Sequence, residues 1–255
     1  EDLAATAVWG TQKVGLIPRP KVEGVFSLLY GKGPGVDRSL DVLRHANAAG
    51  THPKGGILAM MGDDHGAVSS TLPHQSDHDM IAAMIPVIAP AGVGEYPLFG
   101  TLGWELSRAS GAWVEFKCPT EIVESTASVA LDPFNGDLVL PEGAGTLGLR
   151  AGDNPAAQEA RLHLKLALAQ AFARANGLDR EAGARGRAAL GIVAGARAGS
   201  TRSRRWRCWA STPPGPRGQG SRCANPASSG RSTPRGWRPV PPAATPCWWP
   251  RKSAH

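Results

Sequence analysis

The sequence predicts an α/β protein, a three-layer domain built on a mostly parallel sheet. Three observations lead there. Short, almost wholly apolar runs recur at VEGVFSLLY (22–30), GGILAMMGDD (55–64) and PVIAP (86–90), helical patterns separate them, and the first two runs open into polar or glycine-rich loops. Strands that are apolar on both faces belong to parallel sheets covered by helices on either side. A chain of 255 residues has room for one large domain of this kind or two ordinary ones of ~100–200 residues each.

Residues 2–15 place Leu3, Ala7 and Val14 at helical spacing, with the acids Glu1 and Asp2 at the start, where the helix dipole favours negative charge. The run 22–30 reads as a strand, followed by the loop GKGPGVD and a helix from Arg38 to Ala49, capped by Asp37 and ended by Gly50. A second strand over 55–64 runs into a polar loop, after which Ser76 and Asp79 form a capping box for the next helix. PVIAP is a short strand, 94–109 a helix, and AWVEFKC (112–118) a strand. After the turn-rich stretch 132–145, Asn154 caps the clearest helix, with Pro155 in its first position and Gly177 at its end. LGIVAG (190–195) reads as the first strand of a second α/β unit. The expected division is therefore a domain over 1–153, a connecting helix and strand over 154–195, and a tail over 196–255.

The net charge of +7 conceals two unlike pieces: residues 196–255 carry eleven Arg, Lys252 and no acid, so the front is −5 and the tail +12. The tail also lacks Leu, Ile, Met, Phe and Tyr, yet holds ten of the 22 Pro, five of the eight Trp and three of the four Cys. Without aliphatic residues it cannot offset ~1–2 kcal/mol of backbone entropy per residue, and disorder is expected there. No stretch approaches the ~20 apolar residues of a membrane span and the start does not resemble a signal peptide, so a cytoplasmic protein without membrane contact is expected. Cys118, Cys208, Cys223 and Cys247 form no CxxC pair for zinc or an iron–sulfur cluster.

The glycine-rich YGKGPGVDRS, with Gly31, Lys32, Gly33 and Gly35, is neither a Walker loop nor a dinucleotide fingerprint, and spacing alone makes it a strand-to-helix turn. Five of the seven His fall between 45 and 78. His74 and His78 have the i, i+4 spacing of metal ligands but straddle a helix cap and lack a fixed third ligand, so no metal is assigned. The better reading is a loop beyond the carboxyl end of a parallel strand, where α/β proteins place ligands. There His65, Ser69, Ser70, Thr71 and Gln75 offer hydrogen bonds to a small acid substrate.

The succession EDLAATAVWGTQ, YGKGPGVDRS, DVLRHANAAGT, GGILAMMGDDHGAVSSTLPHQSDHDMIAAMIPVIAPAGVGEY and EIVESTASV resembles the N-terminal part of the indolepyruvate:ferredoxin oxidoreductases, thiamine-diphosphate enzymes of the 2-oxoacid:ferredoxin oxidoreductase family. The resemblance covers residues 1 to about 180. It implies a thiamine-diphosphate-binding fold and the oxidative decarboxylation of aryl 2-oxoacids to acyl-coenzyme A, with electrons leaving through iron–sulfur clusters to ferredoxin. It also implies that this region holds the cofactor's aminopyrimidine, and that Glu1 is the catalytic and cofactor-binding glutamate that faces the ring nitrogen. A carboxyl there favours the imino tautomer needed to activate the cofactor.

Several parts of the family pattern do not appear. Its first strand and GSP-containing turn precede the point where this chain begins, and the diphosphate domain with its GDG motif for Mg²⁺, the cluster cysteines and the gamma-type domain are not in the sequence. GDDHG (62–66) lacks the asparagines of that motif. The expected partners are therefore the remaining domains or subunits, with ferredoxin and coenzyme A reached through them, and the chain alone is expected to be inactive. The tail departs from the family after LGIVAG and reads as a frame-shifted stretch of a GC-rich gene: codons for RWRCWA (205–210), moved by one base, spell Ala-Leu-Ala-Leu-Leu-Gly. The rival reading, an Arg-rich arm with interleaved Trp that binds single-stranded nucleic acid, is disfavoured because such arms show repeats and have no reason to avoid Leu.

Overall fold

The computed structural model describes residues 1–130 and 137–179, together with Gly195. The strand expected at 190–195, apart from that glycine, and the tail over 196–255 lie outside the described residues. Within them the chain is α/β, with four strands in one all-parallel sheet of order β1-β2-β4-β3.

Helix α1 (Asp2–Gln12) leads through a single 3-10 turn to β1 (Phe26–Lys32). Buried Gln12 fastens the end of α1 by donating from Nε2 to the Val25 carbonyl at 2.9 Å and accepting the His52 N–H at 3.1 Å. Helix α2 (Gly33–Ala49) follows β1 without a loop. It begins five residues before the expected Arg38, because Pro34 sits comfortably in a first helical turn, where the missing N–H is no loss. Asp37 therefore lies inside the helix and is not its cap. Gly50 ends α2 with φ of +102°, as expected of a glycine stop.

Strand β2 (Gly56–Gly62) is followed by the loop 63–76, the short α3 (Asp77–Ala82) and β3 (Val87–Ile88). Helix α4 (Tyr96–Ser110) then leads to β4 (Val114–Lys117), which inserts between β2 and β3. A single turn, α5 (Thr120–Val123), and the long α6 (Pro155–Ala175) complete the described elements. Asn154 caps α6 as its sequence position requires, its Oδ1 accepting the Ala157 N–H at 2.9 Å.

Alternation along β2 sends Ile57, Ala59 and Met61 to one side of the sheet, where they pack with Ala5, Val36, Leu43, Met80 and Trp113. Leu58 faces the other side, with Val114 and Phe116 of β4, against Phe99, Leu102 and Leu106 of α4 and Ala169 and Phe172 of α6. The result is three layers, with α1, α2 and α3 on one face and α4 and α6 on the other. Each fully buried Leu, Ile or Phe contributes about 1.5–3 kcal/mol to holding these layers together. Edge strand β1 departs from the expected burial on both faces: Phe26, Leu28 and Tyr30 are exposed while Ser27 and Leu29 are covered. Among the described residues, no helix is long and apolar enough to cross a membrane.

Helix α6 packs beside α4 through Ala169 and Phe172. Its buried stripe runs Arg161, Lys165, Leu168 and Phe172. Lys165 is fully buried and donates to the Asn47 and Ala48 carbonyls at 2.8 and 3.0 Å, satisfying two of the orphan acceptors at the C-terminus of α2. Burial first, and the nearby Arg161 second, pull the Lys165 amine down to about 7, while Asp153 opposes them. Asp153 itself forms a two-pronged ion pair with Arg161.

Candidate functional site

Strands β1, β2 and β4 end side by side, and the residues just beyond them build a polar surface at the carboxyl edge of the sheet, where parallel α/β folds place ligands. Asp63 and Asp64, both buried, leave β2 there. Asp64 folds the loop: its carboxylate accepts the Val68 N–H at 2.8 Å and the Ser69 N–H at 2.9 Å. Those backbone donors, Ser69 before Val68, hold its carboxyl below the usual carboxylate range. Lys32, at the end of β1, donates to the Ser69 carbonyl at 2.7 Å and lies 3.6 Å from Asp64. Asp64 and His74 exchange backbone hydrogen bonds in both directions, at 3.2 and 3.0 Å, closing the loop on itself. A shallow cleft of about 390 Å³ opens there, lined by His65, Pro73, His74 and Gln75.

Two of the sequence-predicted loop residues, His65 and Gln75, thus face the cleft. Ser69 points its hydroxyl at Asp64, at 3.3 Å, so its side chain also holds the loop. Ser70 and Thr71 have no side-chain hydrogen bond among the described residues, and Thr71 is exposed. Ser76 is the residue before α3, but its side chain makes no cap. The expected capping box with Asp79 does not form, because the Ser76 hydroxyl turns inward to two buried acids.

Glu1 stands at the start of α1 and likewise caps nothing with its side chain. It lies over the glycine-rich turn. A Cβ on Gly35 would come 2.6 Å from Glu1 Cγ and 3.0 Å from its Oε1, and one on Gly31 would come 3.9 Å from Cγ. On the same turn, a Cβ on Gly33 would come 1.9 Å from His74 Nδ1. The glycines of YGKGPG therefore let two side chains close on the turn, Glu1 at Gly35 and His74 at Gly33. Spacing alone made this a plain turn; its bareness is used by side chains from elsewhere in the chain.

A set of charged groups not anticipated from sequence lies beneath the loop. Ser76 Oγ is 2.9 Å from Asp63 Oδ1 and 2.6 Å from Glu115 Oε1, and all three residues are fully buried. A hydroxyl has one proton, so it can donate to only one of two carboxyl groups. The arrangement closes when Glu115 is protonated, donating to Ser76 Oγ while Ser76 donates to Asp63. Burial is the main reason why the Glu115 carboxyl is pushed up to about 8, with Asp63 and Asp77 adding to the rise and Ser76 and Lys117 opposing it. Lys117 binds Asp77 and lies 3.1 Å from Asp63. Burial lowers the affinity of its amine for a proton, but the two carboxylates outweigh that and the net shift is upward. The signal in the sequence was two charged residues at i and i+2 in an otherwise apolar strand. Cys118, next along, is pushed up to about 11, chiefly by burial, and is an unreactive thiol.

Two groups of side chains have the ligand types for a cation: Asp63, His65 and Asp77, and Asp37, His74 and Asp79. The Lys117 ammonium already serves the first. In the second, His74 Nε2 lies 3.1 Å from Asp37 Oδ2. Asp79 is raised by burial and then by the Asp37 carboxylate, against the opposing pull of His74 and His78. The i, i+4 pair seen in the sequence is divided, since His74 precedes α3 and His78 lies exposed within it. No protein-family model matches the chain, and no curated protein matches it significantly.

Proposed function

We propose that this chain supplies the pyrimidine-binding part of a thiamine-diphosphate-dependent oxidoreductase that oxidatively decarboxylates indolepyruvate and related aryl 2-oxoacids, with coenzyme A and ferredoxin as co-reactants. The observation that carries this reading is the placement of Glu1: an acid at a helix start that caps nothing and lies instead across Gly31 and Gly35 at the carboxyl edge of a parallel sheet. Its exposed carboxyl has no side-chain hydrogen-bond partner among the described residues, and its stem occupies the space over Gly35, where a Cβ would come 2.6 Å from Glu1 Cγ. The free Glu1 carboxyl would, on this reading, hold a nitrogen of the aminopyrimidine ring by a hydrogen bond. Bound thiamine diphosphate supplies the nucleophilic carbon of the reaction. On this reading Glu1 sets the proton balance of the ring, Lys32 and Asp64 hold the loop in place, and His65 and Gln75 receive the acid substrate at the cleft. Diphosphate, Mg²⁺ and the clusters depend on other domains or subunits.

Ligand-observed saturation-transfer NMR tests the reading. Thiamine and a free 4-aminopyrimidine bearing its 2-methyl group should both receive saturation at the pyrimidine methyl, while an isolated thiazole alcohol should not. Equal saturation of the thiazole, or none of the pyrimidine at millimolar ligand, contradicts the assignment.

A further inference from the structure

The second group of potential ligands makes a separate prediction, which does not depend on thiamine binding. Asp37 comes from the first turns of α2, His74 from the end of the β2–α3 loop and Asp79 from α3. Asp37 is thus brought to His74 and Asp79, which are near each other in sequence, and the ligand atoms of the three all lie within 4.8 Å of one another. His74 is held firmly: its backbone bonds Asp64 in both directions, and its Nδ1 packs on Gly33, leaving Nε2 as the nitrogen that faces the acids. Asp37 and Asp79 bring two carboxyl groups, hydrogen-bonded to each other, to the same spot, and among the described residues no Lys or Arg pairs with either. The neighbouring acid pair, Asp63 and Asp77, shows how this fold otherwise settles such an arrangement, with the Lys117 ammonium between them.

We propose that Asp37, His74 and Asp79 form a divalent-cation site at the edge of the cleft, with two carboxylate oxygens and one imidazole nitrogen as ligands and water in the remaining positions. One nitrogen among oxygens suits a borderline first-row ion such as Mn²⁺ or Zn²⁺ better than Ca²⁺, which asks for six to eight oxygens. At metal–ligand distances of about 2.0–2.2 Å, two ligands lie at most about 4.4 Å apart. Neighbouring ligands around one ion lie only about 3.0–3.5 Å apart; His74 Nε2 and Asp37 Oδ2, at 3.1 Å, already meet that, and the remaining atoms, within 4.8 Å, have to draw in by up to about 1–2 Å through side-chain rotation. His74 also lines the cleft, so solvent or an anionic ligand has access to the open positions.

Mn²⁺ is the probe, because it has little affinity for thiols. Titration of the full chain with Mn²⁺, followed by the EPR signal of the free ion and by water proton relaxation, should show one saturable site with relaxing water in its coordination shell. Asp79→Asn, isosteric and without the charge, and His74→Ala should each weaken binding about tenfold or more, as should Asp37→Asn. His78→Ala and Asp77→Asn should leave it unchanged. Circular dichroism of each variant separates lost ligation from lost folding, and Asp37→Asn, at an exposed position, is the variant least able to disturb the fold. Absence of saturable binding, undiminished binding in Asp37→Asn and Asp79→Asn, or a loss confined to Asp77→Asn would overturn the proposal.

Discussion

Ser76 has one hydroxyl proton and two buried carboxyl groups within 2.9 Å of its oxygen, so one carboxyl has to supply a proton, and burial, which pushes Glu115 up to about 8, assigns it to Glu115. Its ordinary value of 4.5 applies to the unfolded chain, while the folded value is about 8. Between those two the folded chain binds more protons than the unfolded one, so this contribution to stability is complete below about 4.5 and is lost as the pH rises through about 8. The loss is on the order of a few kcal/mol. Glu115→Gln can still donate to Ser76 and has nothing to titrate, so its melting temperature should fall less than that of the wild type between pH 5 and pH 9. Parallel pH profiles for the two proteins would refute the protonated-acid assignment. Residue by residue, the sequence was legible where one side chain sufficed. His65 and Gln75 could be picked out with Ser69, Ser70 and Thr71 as loop residues, and these two line the cleft; Glu1, by its own position, read only as a helix-start acid, and the family resemblance alone singled it out. Glu115 and Lys117 could not be picked out, because their meaning depends on Ser76, Asp63 and Asp77 arriving from the loop and from α3. His74 was paired with His78 by spacing, whereas the fold pairs it with Asp37, which is 37 positions away.

At the scale of elements, the apolar runs located the four strands and the caps located α6, since both signals are local. The start of α2 was placed late because glycine and proline read as loop, although Pro34 in a first turn is compatible with a helix. What the sequence hides at this scale is how elements are fastened together. Asn47, fully buried in α2, donates to the Ala83 and Met84 carbonyls at 3.0 and 2.9 Å and accepts the Trp113 N–H at 3.0 Å, tying α2 to the end of α3 and to the start of β4. Asn47→Ala leaves three buried backbone groups without partners and should cost about 3–5 kcal/mol in urea unfolding. Lys165→Met keeps the buried stem but strips the C-terminus of α2 of its donor, and should cost about 2–4 kcal/mol. A change below about 0.5 kcal/mol in either variant would show that water satisfies those carbonyls.

For the whole molecule, the basic average dissolves into an acidic α/β front and a basic tail, and every feature argued for function lies in the front. The exposed Phe26, Leu28 and Tyr30 on β1 mark where the covering of the sheet is incomplete among the described residues, and the burial on both faces expected for a parallel strand fails there for that reason. On the proposed function, the purified chain alone should give no indolepyruvate-dependent ferredoxin reduction, because the diphosphate, Mg²⁺ and cluster ligands of the family pattern are not in its sequence; measurable turnover by the chain alone would contradict this. The central claim is that Glu1 and the glycine turn beneath it form a pyrimidine site. Gly35→Ala tests it most directly, because the nearest atoms the added methyl meets belong to the exposed Glu1 side chain, with Cγ 2.6 Å away. The decisive measurement is a thiamine titration by saturation-transfer NMR on wild type, Gly35→Ala and Glu1→Gln, alongside thermal melts of all three. The account predicts that both variants lose the pyrimidine signal with nearly unchanged melting temperatures; wild-type binding in both variants would contradict it.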